Sequence, residues 1–282
     1  MTILQGILLG LLQGIAEFLP ISSSGHLAVA QHLFNLNEVP LIFDILLHLS
    51  TLAAVCIYFR KKIIRLFGIF IRWIFRKTAP DYYDETDLLS GSEQYGRKTI
   101  IAIIFTTLIT GMIGIFTSKL IPDLPIKITC IGFIVTALLL IISSIIEKHN
   151  DSKKSQSQNN NINIFQALFI GLMQGIGTFP GISRSGSTIA GAQLIGVNRS
   201  LAGEFSFIVS IPAILGAFLL ELKDLDQLQS TVGLLPLLLG CLTSFVSGYF
   251  ALSLLMKLIK KGKLEWFATY LIPLGILGII FF

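Results

Sequence analysis

Charge is scarce in this chain: Asp, Glu, Lys and Arg make up 13% of its 282 residues, about half the roughly 25% of a soluble domain. With 53% hydrophobic residues, that scarcity excludes an ordinary soluble fold and points to a polytopic membrane protein. Cysteine is thin as well. Cys56, Cys130 and Cys241 are odd in number, sit in apolar segments and form no CxxC pair, so they read as packing residues and not as a disulfide framework or metal ligands. There is no Walker A loop, no HExxH and no GxSxG, so nucleotide, zinc-protease and α/β-hydrolase chemistries have no carrier. The N-terminus lacks a basic region and a cleavage site, and no removable signal peptide is expected. The net charge of +5 is no nucleic-acid footprint, because most of the excess falls in two loops, as the positive-inside rule requires.

What is there begins with Gly10 to His26, GLLQGIAEFLPISSSGH. Gln13 and Glu17 lie four residues apart, on one helical face, and Pro20 ends or kinks that helix. Ser22, Ser23, Ser24, Gly25 and His26 follow. Such groups inside apolar sequence are costly unless they have a function. The stretch recurs as GLMQGIGTFPGISRSG, Gly171 to Gly186, and at an offset of 161 ten of sixteen positions are identical. At that offset Glu17 becomes Thr178, Ser23 becomes Arg184 and His26 becomes Ser187. One copy carries an acid and a candidate base, the other a cation.

Residues 3 to 19 and 27 to 34 are apolar pieces too short or too interrupted for a span of ~20 residues. A re-entrant helical hairpin, entering and leaving by one side, fits them better. The sequence therefore predicts an all-α membrane protein of two halves. The first, 1–147, has a hairpin at 1–36 and spans at 41–59, 99–118 and 127–146. A polar linker, 148–163, leads to the second half, 164–282, with a hairpin at 164–197 and spans at 201–221, 231–256 and 264–282. Segment 60–98 holds nine Lys and Arg against five acids, and 257–263 holds four Lys. Both are expected in the cytoplasm, the start of 60–98 as an amphipathic surface helix and its later part as polar loop. The loop with Glu221, Lys223, Asp224 and Asp226 is expected outside. Three spans per half is an odd number, so the second half is expected to be inverted, with both termini outside and the hairpin tips meeting near the midplane, as in transporter-like inverted repeats.

At those tips, helix N-termini suit anions. Gly25 and Gly186 are expected to admit close backbone approach, and the Arg184 fork matches phosphate oxygens. Arg184 could instead pair with Glu17, which would still put both at one site. Ser23 and His26, three apart, share a helix face, so the imidazole could take the hydroxyl proton. Alternatively His26 is a general acid and water the nucleophile. Ser22, Ser24, Ser183, Ser185 and Ser187 read first as phosphate hydrogen-bond donors, with a helix cap or a helix-packing contact as the alternative for each. Glu17 could hold a divalent cation with the phosphates, Gln13 being its neighbour. Asp44 and His48 either line an outer vestibule or are ordinary interfacial residues. Glu204 is expected near the inner end of its span, while His32 and His149 read as structural or solvated.

At GLLQGIAEFLPISSSGH, PGISRSGSTIAGAQLIGVNR and EFSFIVSIPAILGA the sequence resembles the bacitracin-resistance type of undecaprenyl-diphosphate phosphatase, over nearly its full length. The resemblance implies a C55 isoprenyl diphosphate substrate in a bacterial plasma (inner) membrane, with the site open to the periplasm or outside. It also implies dependence on a divalent cation, Mg²⁺ or Ca²⁺, a part in peptidoglycan lipid-carrier recycling, and bacitracin resistance on overproduction. Carried over by position, it assigns the functional acid to Glu17, serines to Ser22 and Ser23, the histidine to His26, and the second-motif pair to Ser183 and Arg184. Many members carry a second Glu where this chain has Gln13, so a two-carboxylate metal site departs from this sequence. A homodimer is a further expectation. Lipid phosphatases with a PSGH motif and a later Ser-Arg…His are excluded, because no His follows His149. A lipid-phosphate transporter or flippase on the same scaffold remains as the alternative.

Overall fold

The computed structural model describes residues 1–36, 39–77, 84, 87, 89–117, 124–151, 161–222 and 232–282. It is all-helical, with eleven α-helices and no strand among the described residues. They are α1 (Ile3–Phe18), α2 (Ser23–Leu33), α3 (Leu41–Tyr58), α4 (Arg60–Ile74), α5 (Glu93–Thr117), α6 (Ile126–Asp151), α7 (Ile164–Ile176), α8 (Arg184–Leu194), α9 (Arg199–Glu221), α10 (Leu234–Lys261) and α11 (Ala268–Phe281), the last preceded by a 3₁₀ turn at Leu264–Phe267. Among the described residues six segments are long and apolar enough to cross a membrane: Leu41–Tyr58, Glu93–Thr117, Ile126–His149, Arg199–Glu221, Leu234–Lys261 and Leu264–Phe281. The chain is a multi-pass membrane protein. Its outward Phe116 and Phe250 are about 70% exposed (72% and 68%), which is the normal state of a lipid-facing side chain.

Three boundaries differ from the sequence reading by five residues or more, one of them the end of the helix expected at 127–146, which runs on to Asp151. The helix expected at 99–118 begins at Glu93, because the Ser92 hydroxyl accepts the Tyr95 amide (3.1 Å) and so caps a turn that hydropathy alone reads as loop. The helix expected at 231–256 continues to Lys261 and ends on Gly262 at φ 64. Lys257, Lys260 and Lys261 therefore lie in its last turns, where cations suit the helix dipole. Most of the 148–163 linker, and Lys223, Asp224 and Asp226 of the loop expected outside, lie beyond the described residues.

The two short apolar helices start alike. Thr2 and Gln5 form a reciprocal capping box on α1, and Asn163 and Gln166, 161 residues on, form the same box on α7. Each then lies along a long helix distant in sequence: α1 on α10 and α7 on α5. Glycines let the backbones close. A Cβ on Gly6 would stand 2.5 Å from the Pro236 carbonyl oxygen, and one on Gly175 would run into Ile113. Helix α3 packs between α9 and α10, and α6 pairs with α11. An aromatic cluster fixes the centre, with Phe18 edge-on to Phe207 (5.7 Å) and Phe59 stacked on Phe207 (6.4 Å).

The basic segment does open with an amphipathic helix, α4. Of its expected polar loop, residues 81–83, 85, 86 and 88 lie outside the described residues, and Asp87 is tied back onto the helix by ion pairs. Lys62 reaches Glu204 of α9 (2.5 Å) and Asp87 (3.2 Å), and Arg65 reaches Asp87 (3.2 Å). Asp87 accepts the Leu89 and Ser90 amides and the Ser90 hydroxyl, which holds Leu89 and Ser90 against its carboxylate.

Candidate active site

Pro20 follows the end of α1, leaving Glu17 on its last turn. After it Ser22 takes φ 70, a left-handed conformation that non-glycine residues adopt at some cost. Its hydroxyl accepts the Gly25 amide (3.3 Å), so Ser23 becomes the first residue of α2. The second copy reaches the same frame by another route. Gly181 supplies the positive φ (80), and Ser183 caps α8 by accepting the Gly186 amide (3.0 Å), so Arg184 becomes the first residue of that helix. Ser23 and Arg184 thus occupy equivalent first positions of two helices whose starts face each other. A Cβ on Gly25 would stand 2.9 Å from Gly181 Cα.

Glu17 is the hub. Arg184 Nη2 donates to its Oε1. The Ser23 hydroxyl donates to Oε2 at 2.6 Å, Gln13 Nε2 donates to the same oxygen at 3.0 Å, and His48 Nε2 stands 3.4 Å from it. A buried carboxylate among apolar helices is tolerable only when so surrounded. The cluster borders a cavity of about 250 Å³. Glu17, Ser22, Ser23, Ser24, His48, Ser183 and Arg184 line it, together with Thr110, Gln174, Thr178 and an apolar side of Ile45, Ile182, Ala213, Ile214 and Ala217. Arg184 Nη1 is buried and has no partner among the described residues, so the cavity keeps a cationic donor in reserve.

The expected Ser23–His26 pair is not formed. His26 Nδ1–H donates to the Ser22 carbonyl (2.7 Å), four residues back, and Nε2 accepts from the Tyr270 hydroxyl (2.9 Å). The ring packs between Phe133 and Tyr270 and does not line the cavity. Both ring nitrogens are committed, and Ser23 turns to Glu17 instead. The imidazole at the cavity is His48. Its Nδ1–H donates to the Asp44 carbonyl (2.7 Å), leaving Nε2 toward Glu17, while Asp44 itself takes the Gln31 amide (2.7 Å). A histidine near the start of a span, one turn after Asp44, was the signal for it.

The four remaining residues expected at phosphate, Gly25, Gly186, Ser185 and Ser187, do not line the cavity. Gly25 makes room for Phe133 and Gly181, and Gly186 for Ser183 and Pro20. Ser185 donates to the Phe18 carbonyl (3.1 Å), stitching α8 to the end of α1. Ser187 is fully buried, away from the cavity lining, with no partner among the described residues. Thr110, Gln174 and Thr178 are cavity residues that the sequence reading did not single out.

For a divalent cation the donor set fits one arrangement. No three of His, Cys, Asp and Glu gather among the described residues, so a cage made by the protein alone does not fit. A hard cation on Glu17, with diphosphate oxygens completing its shell, does fit the pattern of one carboxylate plus substrate. Gln13 is the neighbour of that carboxylate, but it turns its amide nitrogen to Glu17 and does not line the cavity.

The model of one family, described as bacitracin resistance protein BacA, matches residues 6–277. The chain belongs to the BacA family. Similar proteins named undecaprenyl-diphosphatase span it end to end. That of Treponema denticola is 50% identical over 276 residues, covering 98% of this chain and 96% of its own. That of Alkaliphilus metalliredigens is 42% identical, covering 100% and 99%, and that of Borreliella burgdorferi is 40% identical, covering 98% and 96%.

Proposed function

We propose that this BacA-family protein is an undecaprenyl-diphosphate phosphatase that releases inorganic phosphate and leaves undecaprenyl phosphate in the membrane. The observation that carries the reading is the Ser23–Glu17–Arg184 cluster on a cavity between membrane helices, beside the relatives' shared name. At about 250 Å³ the cavity is below the ~300–1,000 Å³ of drug-sized pockets. It suits a diphosphate headgroup, with the isoprenyl chain left in lipid along the Ile45, Ile214 and Ala217 side.

In this reading Arg184 Nη1 takes an oxygen of the terminal phosphoryl group. The Ser23 oxygen attacks that phosphorus, its proton passes to Glu17 at 2.6 Å, and the bridging P–O bond breaks. His48 is the proton group beside Glu17, the role the sequence reading gave to His26. A divalent cation, held by Glu17 and neighboured by Gln13, would neutralise diphosphate charge when bound. Ser22, Ser24 and Ser183 line the headgroup's seat.

The two halves are an inverted repeat in this proposal. The crossed packing of α1 on α10 and α7 on α5, with matched capping boxes 161 residues apart, supports it. The cations of 60–98 then lie in the cytoplasm, and the cavity opens to the periplasm or outside. The product re-enters peptidoglycan lipid-carrier recycling, and overproduction gives bacitracin resistance because the antibiotic sequesters the substrate.

The deciding experiment is phosphate release from undecaprenyl diphosphate by the purified protein in detergent, with and without chelator. A lipid-phosphate flippase on the same scaffold would release none. Orientation is tested separately in a protein lacking its three native cysteines. Outside labelling that reaches Ser92→Cys but not Asp226→Cys would reverse the topology.

A further inference from the structure

The second copy gives the cavity more than Arg184. Gln174 and Thr178 also line it, with Thr110 of α5 beside them. They stand 161 residues after Gln13 and Glu17, so the ionised pair has a neutral twin on the same cavity. Gln174 is fully buried, and its amide is oriented by its neighbour. Thr110 has one hydroxyl proton, directed to the Thr106 carbonyl (2.8 Å) and the Gly171 carbonyl (3.2 Å). Toward Gln174 it can only accept, which it does from Nε2 at 3.0 Å. Gln174 Oε1 is thereby left as an acceptor with no hydrogen-bond partner among the described residues.

A buried acceptor without a donor is costly, and the diphosphate does not relieve the cost. Ionised phosphoryl oxygens are themselves acceptors, and they answer the unpartnered donor, Arg184 Nη1. What answers Gln174 Oε1 brings a proton or a cation, and on this side the counterpart of the carboxylate that would hold a cation is the neutral Thr178. The other reactant of a hydrolysis brings a proton.

We propose that Gln174 is a positioning residue for the water consumed in the reaction, an inference that rests on the phosphatase reading above. Water donates one hydrogen to Gln174 Oε1 and directs a lone pair at the phosphorus carried on Ser23. The new P–O bond forms as the bond from phosphorus to Ser23 Oγ breaks. The water's second proton passes through Glu17 to the serine oxygen, and phosphate leaves with the first. Thr178, where the other copy has Glu17, keeps this side neutral. A carboxylate there would repel the diphosphate and compete for Arg184.

The test uses the full-length protein in detergent with undecaprenyl diphosphate. In Gln174→Met, which conserves volume and removes the acceptor, kcat is expected to fall about 10- to 100-fold. KM should stay within about twofold, and the melting temperature should not fall, since an unsatisfied buried group has been removed. Thr110→Val, which frees the amide to turn, should lower kcat less, and Thr110→Ser should restore it. An unchanged kcat in Gln174→Met overturns the proposal. So does a rise in KM alone, which would make Gln174 a substrate contact, or recovery at higher divalent cation, which would make it a ligand. A melting temperature that falls with activity would reduce Gln174 to packing. Failure of the wild-type protein to release phosphate sinks the phosphatase reading instead.

Discussion

The stretches Gly10–Gly25 and Gly171–Gly186 are one design used twice with opposite charge. What they share is scaffold. Gln13 and Gln174 are both fully buried, Gly14 and Gly175 both sit against long helices, and Ser22 and Ser183 both cap the helix that follows. What they do not share is the chemistry. Glu17 faces Thr178 in the comparison, and Ser23 faces Arg184. The crossing of the halves brings the acid of one copy onto the cation of the other. Even the shared turn is made differently, by Gly181 at φ 80 in the second copy and by Ser22 at φ 70 in the first. The strained serine is in the copy that holds the hydroxyl cluster, which is where such strain concentrates. A repeat can therefore give a site two unlike walls without a new fold.

The comparison breaks most severely at its charges. Arg184→Ala should abolish turnover, at least about a thousandfold, and Arg184→Lys should leave a small remainder, because a point charge replaces a fork. Glu17→Thr, which makes the first copy like the second, should be as severe. Phosphate release measures all three, and near-normal activity in either Ala or Thr variant removes that residue from the site. Ser23→Ala comes next and should lower kcat by several orders of magnitude if its oxygen attacks phosphorus. Ser22→Ala and Ser24→Ala, which remove hydrogen bonds worth ~1–3 kcal/mol, should cost about ten- to a hundredfold. A Ser23 variant no worse than those two would make water the direct nucleophile, whereas a trapped phosphoserine at 23 would establish the covalent path.

The histidines sharpen the contrast further. His48→Asn should lower kcat about 10- to 100-fold with little change in stability. His26→Phe should mainly destabilise, by about 1–2 kcal/mol, through the lost bonds to Ser22 and Tyr270. Kinetics beside thermal melts separates the two, and a reversed order would restore His26 to the chemistry.

The smallest effect lies far from the repeat, at the turn tied to α4. Burial pushes the Asp87 carboxyl up, but the Ser90 hydroxyl, Lys62 and the Ser90 amide together hold it below its ordinary 3.8. Burial pushes Lys62 down, but Glu204 and then Asp87 hold it above its ordinary 10.5. The depressed acid contributes stability that is present above its unfolded value and lost as pH falls through its folded one. The raised lysine contributes stability that is present below its unfolded value and lost as pH rises through its folded one. Hydrogen exchange at the Leu89 and Ser90 amides, relative to intrinsic rates, should stay slow between those limits and quicken below the carboxylate range. Asp87→Asn should remove the acid limb.

The sequence by itself determined the membrane class and the two copies, and it singled out Glu17, Ser23 and Arg184, which the fold brings together. The physical reason is that ionised and hydroxyl groups in apolar segments are too costly to be incidental, so their mere presence is informative. Spans were legible from hydropathy to within a few residues, except where a cap or a last-turn lysine extended the helix. Direction was not legible. Ser23 and His26 have the spacing of a pair, yet His26 folds back on the Ser22 carbonyl and against Tyr270, 244 residues away. The Ser23 hydroxyl meets Glu17 across the Pro20 turn. Only the tertiary structure could bring His48 and not His26 to the cavity, seat Gly25 and Gly186 against close packing neighbours, and leave Gln174 Oε1 without a donor among the described residues. Each of those outcomes depends on which helix from the other half lies alongside, and spacing along one chain carries no record of that neighbour.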